Sequence, residues 1–309
     1  MAGAVAWLVL SSASACAQGP AHSVGTGDTV LIDAAHHNLI DIVDSHRGWL
    51  EAEGFRVRVL RQPFDPELLS GVEVVVISIP SAAQNAVTKP WTREKFARAW
   101  QPPFPSAFAA DEISALRDWV LEGGGLVLVF DHMPISHAVQ ELAAAFGVEV
   151  ANGHAYDERL LRWEADSLSR SEAGSAVFRR SDGTLSAHPI TDGRGAAERI
   201  DSVALGGGAA FRPMPEGEPL LTLGPSFVSL LPEAPFRFME NTPRQPIGGW
   251  WQGGMLRIGR GRLAVFSDAG ILATADEVAA GEPPWDGWQL QNPQLFLNTL
   301  RWLARQIDP

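Results

Sequence analysis

The feature that most constrains the fold of this chain is an alternation of short apolar runs and helical periodicities over residues 29–150. The runs Thr29–Asp33, Val72–Ile79 and Leu126–Phe130 have the length and composition of buried strands. The segments between them repeat apolar residues every three or four positions, as 38–53 does before Gly54. This rhythm predicts an α/β fold with a doubly wound, mostly parallel sheet.

Further segments complete the predicted α/β domain. Phe55–Val59 alternates apolar and charged residues, which predicts a strand with one exposed face near a sheet edge. Val148–Val150 is expected to be the fifth strand of the parallel series, and Asn292-Pro293 opens a final helix. Met255–Ile258 and Arg262–Phe266 flank a Gly-Arg-Gly turn, which predicts a hairpin. Residues 80–110 lack periodicity and carry five prolines, so we expect a long loop that is functional or mobile.

The rhythm is interrupted after the fifth predicted strand. Residues 151–247 contain short β-like runs separated by glycine and proline turns. We therefore predict a β-rich insertion over 151–247. The α/β domain then comprises residues 28–150 and 248–309.

Net charge excludes one large class of partners. The chain has 24 Lys plus Arg and 36 Asp plus Glu, so its formal net charge is −12. An acidic surface repels phosphate backbones and anionic lipid headgroups. We expect no nucleic-acid partner and no contact with a membrane through a basic patch.

The first residues resemble an export signal. Residues 4–10 are apolar, and Ala15-Cys16-Ala17 fits a signal-peptidase cleavage pattern, although no cation precedes the apolar run. We predict a signal peptide over 1–17 and a periplasmic or extracellular protein. Cleavage before Cys16 would make that thiol a lipid anchor, the one predicted membrane attachment; the alternative is a buried N-terminal helix.

Polar residues follow three of the predicted strands. Asp33, Asp131 and Asp268 each stand at or just after the end of an apolar run. Parallel strands end at one edge of a sheet, where open α/β sheets bind their ligands. The predicted ligand-binding residues at this edge are Asp33, His36, Asn38, Asp131, His132 and Asp268.

Three kinds of chemistry are open to such a cluster. Its carboxylates and imidazoles could bind a small polar molecule. Asp33, Asp131 and His132 could instead hold a divalent metal, and His36, Asp131 and His132 are the catalytic candidates as acid or base. No organic cofactor is predicted. The structural alternative is that Asp33 caps the helix from residue 38 and Asp131 caps a turn at Pro134.

Two tryptophans extend the predicted site. Trp285 and Trp288 lie in a Pro- and Gly-rich loop after the third aspartate-ended strand. A flat indole face can stack on the C–H face of a sugar ring, so these residues are candidates for a ligand-covering wall. Packing in the core is the alternative for both of them.

Common catalytic and phosphate-binding motifs are absent from the sequence. There is no G-x-S-x-G elbow, no G-x-G-x-x-G or G-x-x-x-x-G-K-[ST] loop, and no H-E-x-x-H pair. Gly123-Gly124-Gly125 precede a strand and do not open a helix, so they end the preceding helix and are not expected to bind phosphate.

Three stretches resemble class I glutamine amidotransferase-like domains. They are Val30–Asn38, Leu116–Val120 with the following Gly123–Leu126, and Asn292–Trp302. The resemblance covers most of 29–150 and 250–305. It is strongest to an exported branch related to trehalose-utilisation-type and gliding/intraflagellar-transport-type domains, and it implies a flavodoxin-like sheet.

The resemblance also implies what this chain does not do. Glutaminase members of the superfamily use a cysteine nucleophile on an elbow after a central strand. The matching turn here is Asp131–Pro134, which has no cysteine and no flanking glycines. We therefore expect no glutaminase activity.

Three functions remain open at this point. The first is binding of a small polar ligand, such as a sugar or glycan, at the carboxyl ends of the strands. The second is a metal-assisted hydrolase that uses the Asp/His cluster. The third is a non-catalytic scaffold that docks to a protein of a cell-envelope or transport assembly.

Overall fold

The computed structural model describes residues 27–164, 167–168, 175–275 and 291–307. Its helices are α1 (Val43–Ala52), α2 (Arg93–Ala99), α3 (Ala110–Glu122), α4 (Ile135–Ala138), α5 (Gln140–Ala145), α6 (Pro189–Asp192) and α7 (Asn292–Leu303). Its strands are β1 (Thr29–Asp33), β2 (Arg56–Leu60), β3 (Val74–Ser78), β4 (Gly125–Val129), β5 (Val150–Ala151), β6 (His154–Asp157), β7 (Trp163–Glu164), β8 (Ser167–Leu168), β9 (Ser175–Arg179), β10 (Ser202–Gly206), β11 (Ala210–Phe211), β12 (Gly217–Thr222), β13 (Phe227–Leu230), β14 (Arg244–Pro246), β15 (Trp251–Ile258) and β16 (Gly261–Phe266).

A nine-stranded sheet organises the described residues. The order of eight of its strands is β2-β1-β3-β4-β16-β15-β11-β5. The ninth strand, β12, also pairs with β15. The first five strands of that order are parallel, whereas β15, β11 and β5 each run antiparallel to the neighbour before them. The chain places β2 on one side of β1 and β3 on the other. The predicted doubly wound, mostly parallel sheet is confirmed.

Burial on both faces explains why the central parallel strands could be predicted from the sequence. Every residue of β1, β3 and β4 is buried, as expected for strands with both faces covered. The final helix α7 supplies part of that cover, with Phe296, Leu300 and Leu303 fully buried. The predicted hairpin is present as β15 and β16, which pair antiparallel around Gly259-Arg260.

The predicted fifth parallel strand is wrong in its partner and direction. β5 begins at Val150 and pairs antiparallel with β11 at the far end of the sheet. The sequence 148–150 alternates apolar and charged residues. Such a pattern marks a half-exposed strand but does not specify which strand it joins.

Two segment boundaries also differ from expectation. The first helix begins at Val43 and not at residue 38, because 38–42 form the turn that follows β1. Residues 80–110 are not one continuous loop, since they contain α2. The Thr92 side chain accepts a hydrogen bond from the Lys95 amide and so caps this helix.

The segment predicted as an insertion is partly built into the central sheet. From residues 151–247, β11 and β12 join β15. Other strands of this segment form separate small sheets, β14-β13-β6 and β10-β9. Residues 151–247 therefore contain many short strands, and two of these strands pair with a strand of the central sheet.

None of the helices within the described ranges has the length and apolarity needed to cross a membrane. The predicted signal peptide 1–17 with Cys16, and the loop that carries Trp285 and Trp288, lie outside the described residues.

Candidate functional site

The polar residues at the strand ends form two groups. Asp33 is the last residue of β1, whereas Asp131 and Asp268 each lie two residues beyond β4 and β16. Because β3 lies between β1 and β4, the spacing of strands separates the two groups by about 10 Å. The six residues predicted to form one site therefore occupy two sites at the same edge.

The first site, here called the His36 group, consists of Asp33, His36 and Glu112. The Nδ1 atom of His36 lies 2.9 Å from Oδ1 of Asp33, and its Nε2 atom lies 2.9 Å from Oε1 of Glu112. All three side chains are buried. Phe64 stacks parallel to the imidazole at 5.4 Å and Phe108 packs on it at 4.4 Å.

This geometry fixes the protonation of His36. Burial alone would lower the pKa of its imidazole, but the hydrogen bonds and charges of Asp33 and Glu112 outweigh burial and raise the pKa above its usual value. As an imidazolium, His36 donates one N–H to each carboxylate. Both ring nitrogens are thereby occupied, and neither is left to act as the acid or base predicted from the sequence.

Glu112 also organises the surrounding main chain. Its Oε1 accepts the Phe64 amide at 2.8 Å and its Oε2 accepts the Ala109 amide at 2.9 Å. One carboxylate thus joins the loop after β2, the start of α3 and the loop after β1. The His36 group is a rigid floor because each of its ions has opposite charge or N–H donors around it.

A cavity of about 430 Å³ lies above this floor. It is bounded by the loops that follow β1, β2 and β3, together with residues 105–107. Its volume is within the range of small-molecule sites, and its position is where the strand order reverses, between β1 and β3. Polar residues of the wall are His36, His37, Arg61, Gln62, Gln84, Ser106 and Glu112.

Asn38 has a structural position beside this cavity. Its Nδ2 donates to the Ser78 carbonyl at 2.8 Å and faces Oδ2 of Asp33 at 3.4 Å. It therefore ties the end of β1 to the end of β3. Asn38 is not among the residues that line the cavity, and its predicted ligand contact stays a prediction.

The second site, here called the Asp131 group, contains Asp131, His132, His154 and Asp268. β4 and β16 are parallel with Val129 opposite Phe266, which places the two aspartates at matching positions beyond the strands. His154 begins β6, and its ring stacks on that of His132 at 4.3 Å and 18°. The group thus gathers two carboxyls and two imidazoles.

The two carboxyls of this group bond mainly to backbone amides. Asp268 accepts the amides of residues 206, 208 and 270, at 2.9, 2.7 and 2.7 Å. Asp131 accepts the amides of His132 and Ala269, at 2.7 and 3.1 Å. Burial raises the pKa of Asp131 to about 6, and burial with the neighbouring Asp131 charge raises that of Asp268 to about 7.

The imidazoles of this group are neutral because burial disfavours their charged form. Burial lowers the pKa of His132 to about 4, and burial together with His132 lowers that of His154 well below its usual value. The Nδ1 atom of His132 lies 2.7 Å from the Met133 carbonyl oxygen, which can only accept. Neutral His132 therefore carries its proton on Nδ1, and Nε2 is an acceptor.

Aromatic side chains surround the stacked imidazoles. The ring of Phe236 lies 4.6 Å from His132 and 5.1 Å from His154, and it stacks on Trp100 at 5.9 Å. Phe236 is 56% exposed, the highest value among the exposed large hydrophobic residues described. Phe238 meets His154 edge-on at 4.9 Å.

The predicted metal ligands are not brought together. Asp33 belongs to the His36 group, whereas Asp131 and His132 belong to the other group. Within the described ranges no three His, Cys, Asp or Glu side chains are arranged to hold a metal ion.

Sequence reasoning missed Glu112 and His154. Glu112 lies four residues before Leu116 and eight before Val120, so it falls on the buried stripe of α3. A carboxylate on an apolar stripe is a detectable signal of a buried partner. His154 had no comparable signal, because its contacts come from residues 132, 236 and 238.

Comparisons with known proteins agree with the fold. No protein-family model matches the chain. No curated protein gives a significant match. Among solved structures, the mmIFT52 N-terminal domain superimposes with a TM-score of 0.57 at 13% identity, covering 90% of this chain and 97% of that one. This likeness carries the structural argument, and at that identity it concerns the fold alone.

Two further solved structures resemble this chain more weakly. A ThuA-like protein from Bacteroides uniformis gives a TM-score of 0.48 at 13% identity, with 94% of this chain and 97% of that chain covered. A glutamine amidotransferase from Thermotoga maritima gives 0.40 at 11% identity, covering 90% and 98%. The strand order β2-β1-β3-β4 of the parallel part of the sheet shows that the protein has a flavodoxin-like α/β fold.

Proposed function

We propose that this protein binds a small polar ligand, a sugar or a part of a glycan, in the cavity above the His36 group. The cavity itself is the observation that carries the proposal. It has the volume of a small-molecule site and lies where the order of a doubly wound sheet reverses.

The wall of the cavity favours an uncharged ligand with several hydroxyl groups. Asp33, His36 and Glu112 carry a combined charge of about −1 when His36 is protonated, and the exposed guanidinium of Arg61 offsets it. Amides of Gln62 and Gln84 present both donors and acceptors, as sugar hydroxyls do. The lining therefore offers hydrogen bonds without a dominant charge.

The His36 group at the floor of the cavity is suited to binding and not to acid–base catalysis. His36 has both nitrogens bonded to carboxylates, and Glu112 accepts three N–H groups. A general base needs a lone pair that can reach the substrate proton. The glutaminase cysteine is also missing from the turn at Asp131.

Blocking the cavity tests the proposal. Ala83 lines it and is exposed, so Ala83→Trp should fill the space without disturbing the core. Ala52→Trp adds the same side chain at an exposed position at the end of α1 and serves as the control. We expect a neutral saccharide from a monosaccharide and disaccharide panel to bind the wild type and Ala52→Trp by calorimetry, and Ala83→Trp to bind at least about tenfold more weakly.

Two results would contradict the proposal. One is that no saccharide of the panel binds the wild type. The other is that Ala83→Trp binds the same saccharide as tightly as Ala52→Trp does.

Location is part of the proposal, since glycans are components of cell envelopes. We propose export through residues 1–17, to the periplasm or beyond, with a lipid anchor if cleavage precedes Cys16. Mass spectrometry of the mature N-terminus distinguishes cleavage after Ala17 from lipidation of Cys16. Retention of residues 1–17 would contradict export. The metal-assisted hydrolase and the envelope-scaffold hypothesis stay predictions.

A further inference from the structure

The Asp131 group contains two acceptors that face each other without a donor between them. Nε2 of His132 lies 3.7 Å from Oδ1 of Asp131. Because the proton of neutral His132 is on Nδ1, this nitrogen and the ionised carboxylate both offer lone pairs. The separation exceeds a hydrogen bond, and both side chains keep partial exposure, 15% for His132 and 17% for Asp131.

His154, which lies at the same place, also has ring nitrogens without a hydrogen-bond partner within the described residues. It is fully buried, and neither Nδ1 nor Nε2 has a hydrogen-bond partner within the described residues. A buried polar atom without a partner costs about 1–3 kcal/mol, so such atoms are usually satisfied by a ligand or solvent. His154 stacks directly on His132 with ring centroids 4.3 Å apart, so its unpartnered nitrogens belong to a ring in contact with the His132 imidazole.

The charge of the group points to a cation. No lysine or arginine of the described residues forms an ion pair with Asp131 or Asp268. A buried carboxylate without a positive partner is unfavourable, and raised pKa values of both carboxyls reflect that. Aromatic faces, which attract cations, lie around it in Trp100 and Phe236.

We propose that the place where Asp131, His132 and His154 meet under Phe236 is a second binding site, which takes the protonated amino group of a small primary amine. The ammonium has three N–H donors, and the group presents three acceptors: Oδ1 of Asp131, Nε2 of His132 and one ring nitrogen of His154. The positive charge compensates the buried carboxylate. This site is separate from the cavity above the His36 group, so neither proposal depends on the other.

The position of Phe236 fits a cover for such a ligand. Its side chain is largely exposed, yet the ring lies against both imidazoles. Its backbone has φ of 61°, a left-handed conformation that a phenylalanine rarely adopts. A side chain that is 56% exposed can move aside to admit a ligand and then close over its alkyl part.

Binding of methylammonium to the full protein tests the inference. Imidazole ¹⁵N chemical shifts are followed at pH 8 while methylammonium chloride replaces sodium chloride at constant ionic strength. We expect saturable shifts at His132 and His154, and none from tetramethylammonium, which has no N–H donor. A saturable response to tetramethylammonium equal to that of methylammonium would overturn the hydrogen-bonding geometry.

Variants separate this site from a general attraction of cations to an acidic protein. Asp131→Asn should weaken methylammonium binding by about tenfold and Phe236→Ala by about threefold. Asp118→Asn removes an exposed carboxylate of α3 and should leave binding unchanged. Equal binding by all three variants, or no saturable shift in the wild type, would overturn the proposal. Phe236→Ala keeps the test valid if Asp131→Asn does not fold.

Discussion

The His36 and Asp131 groups both combine histidines with acidic residues at the same edge of the sheet. They differ in the partners that their polar atoms contact. In the His36 group, each ring nitrogen of one imidazole contacts a carboxylate at 2.9 Å. In the Asp131 group, the carboxyls accept backbone amides, and the imidazoles stack on each other. Carboxylates accept backbone amides in both groups, so the difference lies in the imidazoles: His36 places one nitrogen against each of two carboxylates, whereas His132 and His154 stack on each other.

The pKa values express this difference. Carboxylate partners raise the pKa of His36 despite its burial, whereas burial lowers that of His132 to about 4. The first group is an ion triad whose interactions are internal. The second combines neutral imidazoles with carboxyls that titrate near neutrality, which leaves it dependent on what binds there.

The largest expected effect comes from removing a carboxylate of the His36 group. Glu112→Ala leaves a buried imidazolium with one partner and deprives the Phe64 and Ala109 amides of their acceptor. We expect the free energy of unfolding to fall by about 3–5 kcal/mol. Urea denaturation at pH 7 measures it.

Two control variants show whether the loss of stability is specific to the Glu112 carboxylate. Asp118→Ala, at an exposed position of the same helix, should change the free energy by no more than about 0.5 kcal/mol. Glu112→Gln keeps one acceptor and the side-chain volume, so it should lose less than Glu112→Ala. A loss for Glu112→Ala as small as that of Asp118→Ala would show that the triad is not what stabilises these loops.

A pH profile tests the second group. The pKa of Asp131 is raised to about 6 in the fold, so the folded protein holds this proton more tightly than the unfolded chain. The resulting stability is complete below about pH 4 and is lost as pH rises through about 6. Relative to Asp131→Asn, which cannot titrate, the wild type should therefore lose about 2 kcal/mol between pH 4 and pH 8.

Denaturant unfolding of both proteins at intervals across that range provides the measurement. The exposed Asp118→Asn variant should follow the wild-type profile throughout. Parallel profiles for the wild type and Asp131→Asn would mean that the Asp131 carboxyl is solvated as in an unfolded chain, and the contrast between the two groups would disappear.

The sequence predicted the fold better than the site, for physical reasons that particular residues show. Val74–Ser78 is apolar throughout because both faces of β3 are covered, and such a run identifies a central parallel strand. Val148–Val150 has too few residues and too mixed a pattern to specify its neighbour, and its pairing with β11 depends on a contact some sixty residues away in the chain.

The site was only partly readable because its decisive contacts are long-range. Strand-end aspartates could be placed at one edge, but their division into two groups depends on β3 lying between β1 and β4. The partner of His36 is Glu112, 76 residues away, and the residues around His154 come from two other segments, at 132 and at 236–238. Local sequence patterns do not indicate such long-range side-chain contacts.

The smallest expected effect concerns the cover of the Asp131 group. Phe236→Ala loses the stacking on Trp100, worth about 0.5–1.5 kcal/mol, while Phe236→Gly loses it too but relieves the left-handed backbone at φ 61° by about 1 kcal/mol. The added backbone entropy of glycine in the unfolded chain offsets part of that relief. We therefore expect both variants to unfold within about 1 kcal/mol of the wild type, with Gly no less stable than Ala, in urea titrations run side by side. If either variant lost as much stability as Glu112→Ala, Phe236 would be an integral part of the fold. The Asp131 group would then stabilise the fold as strongly as the His36 group does.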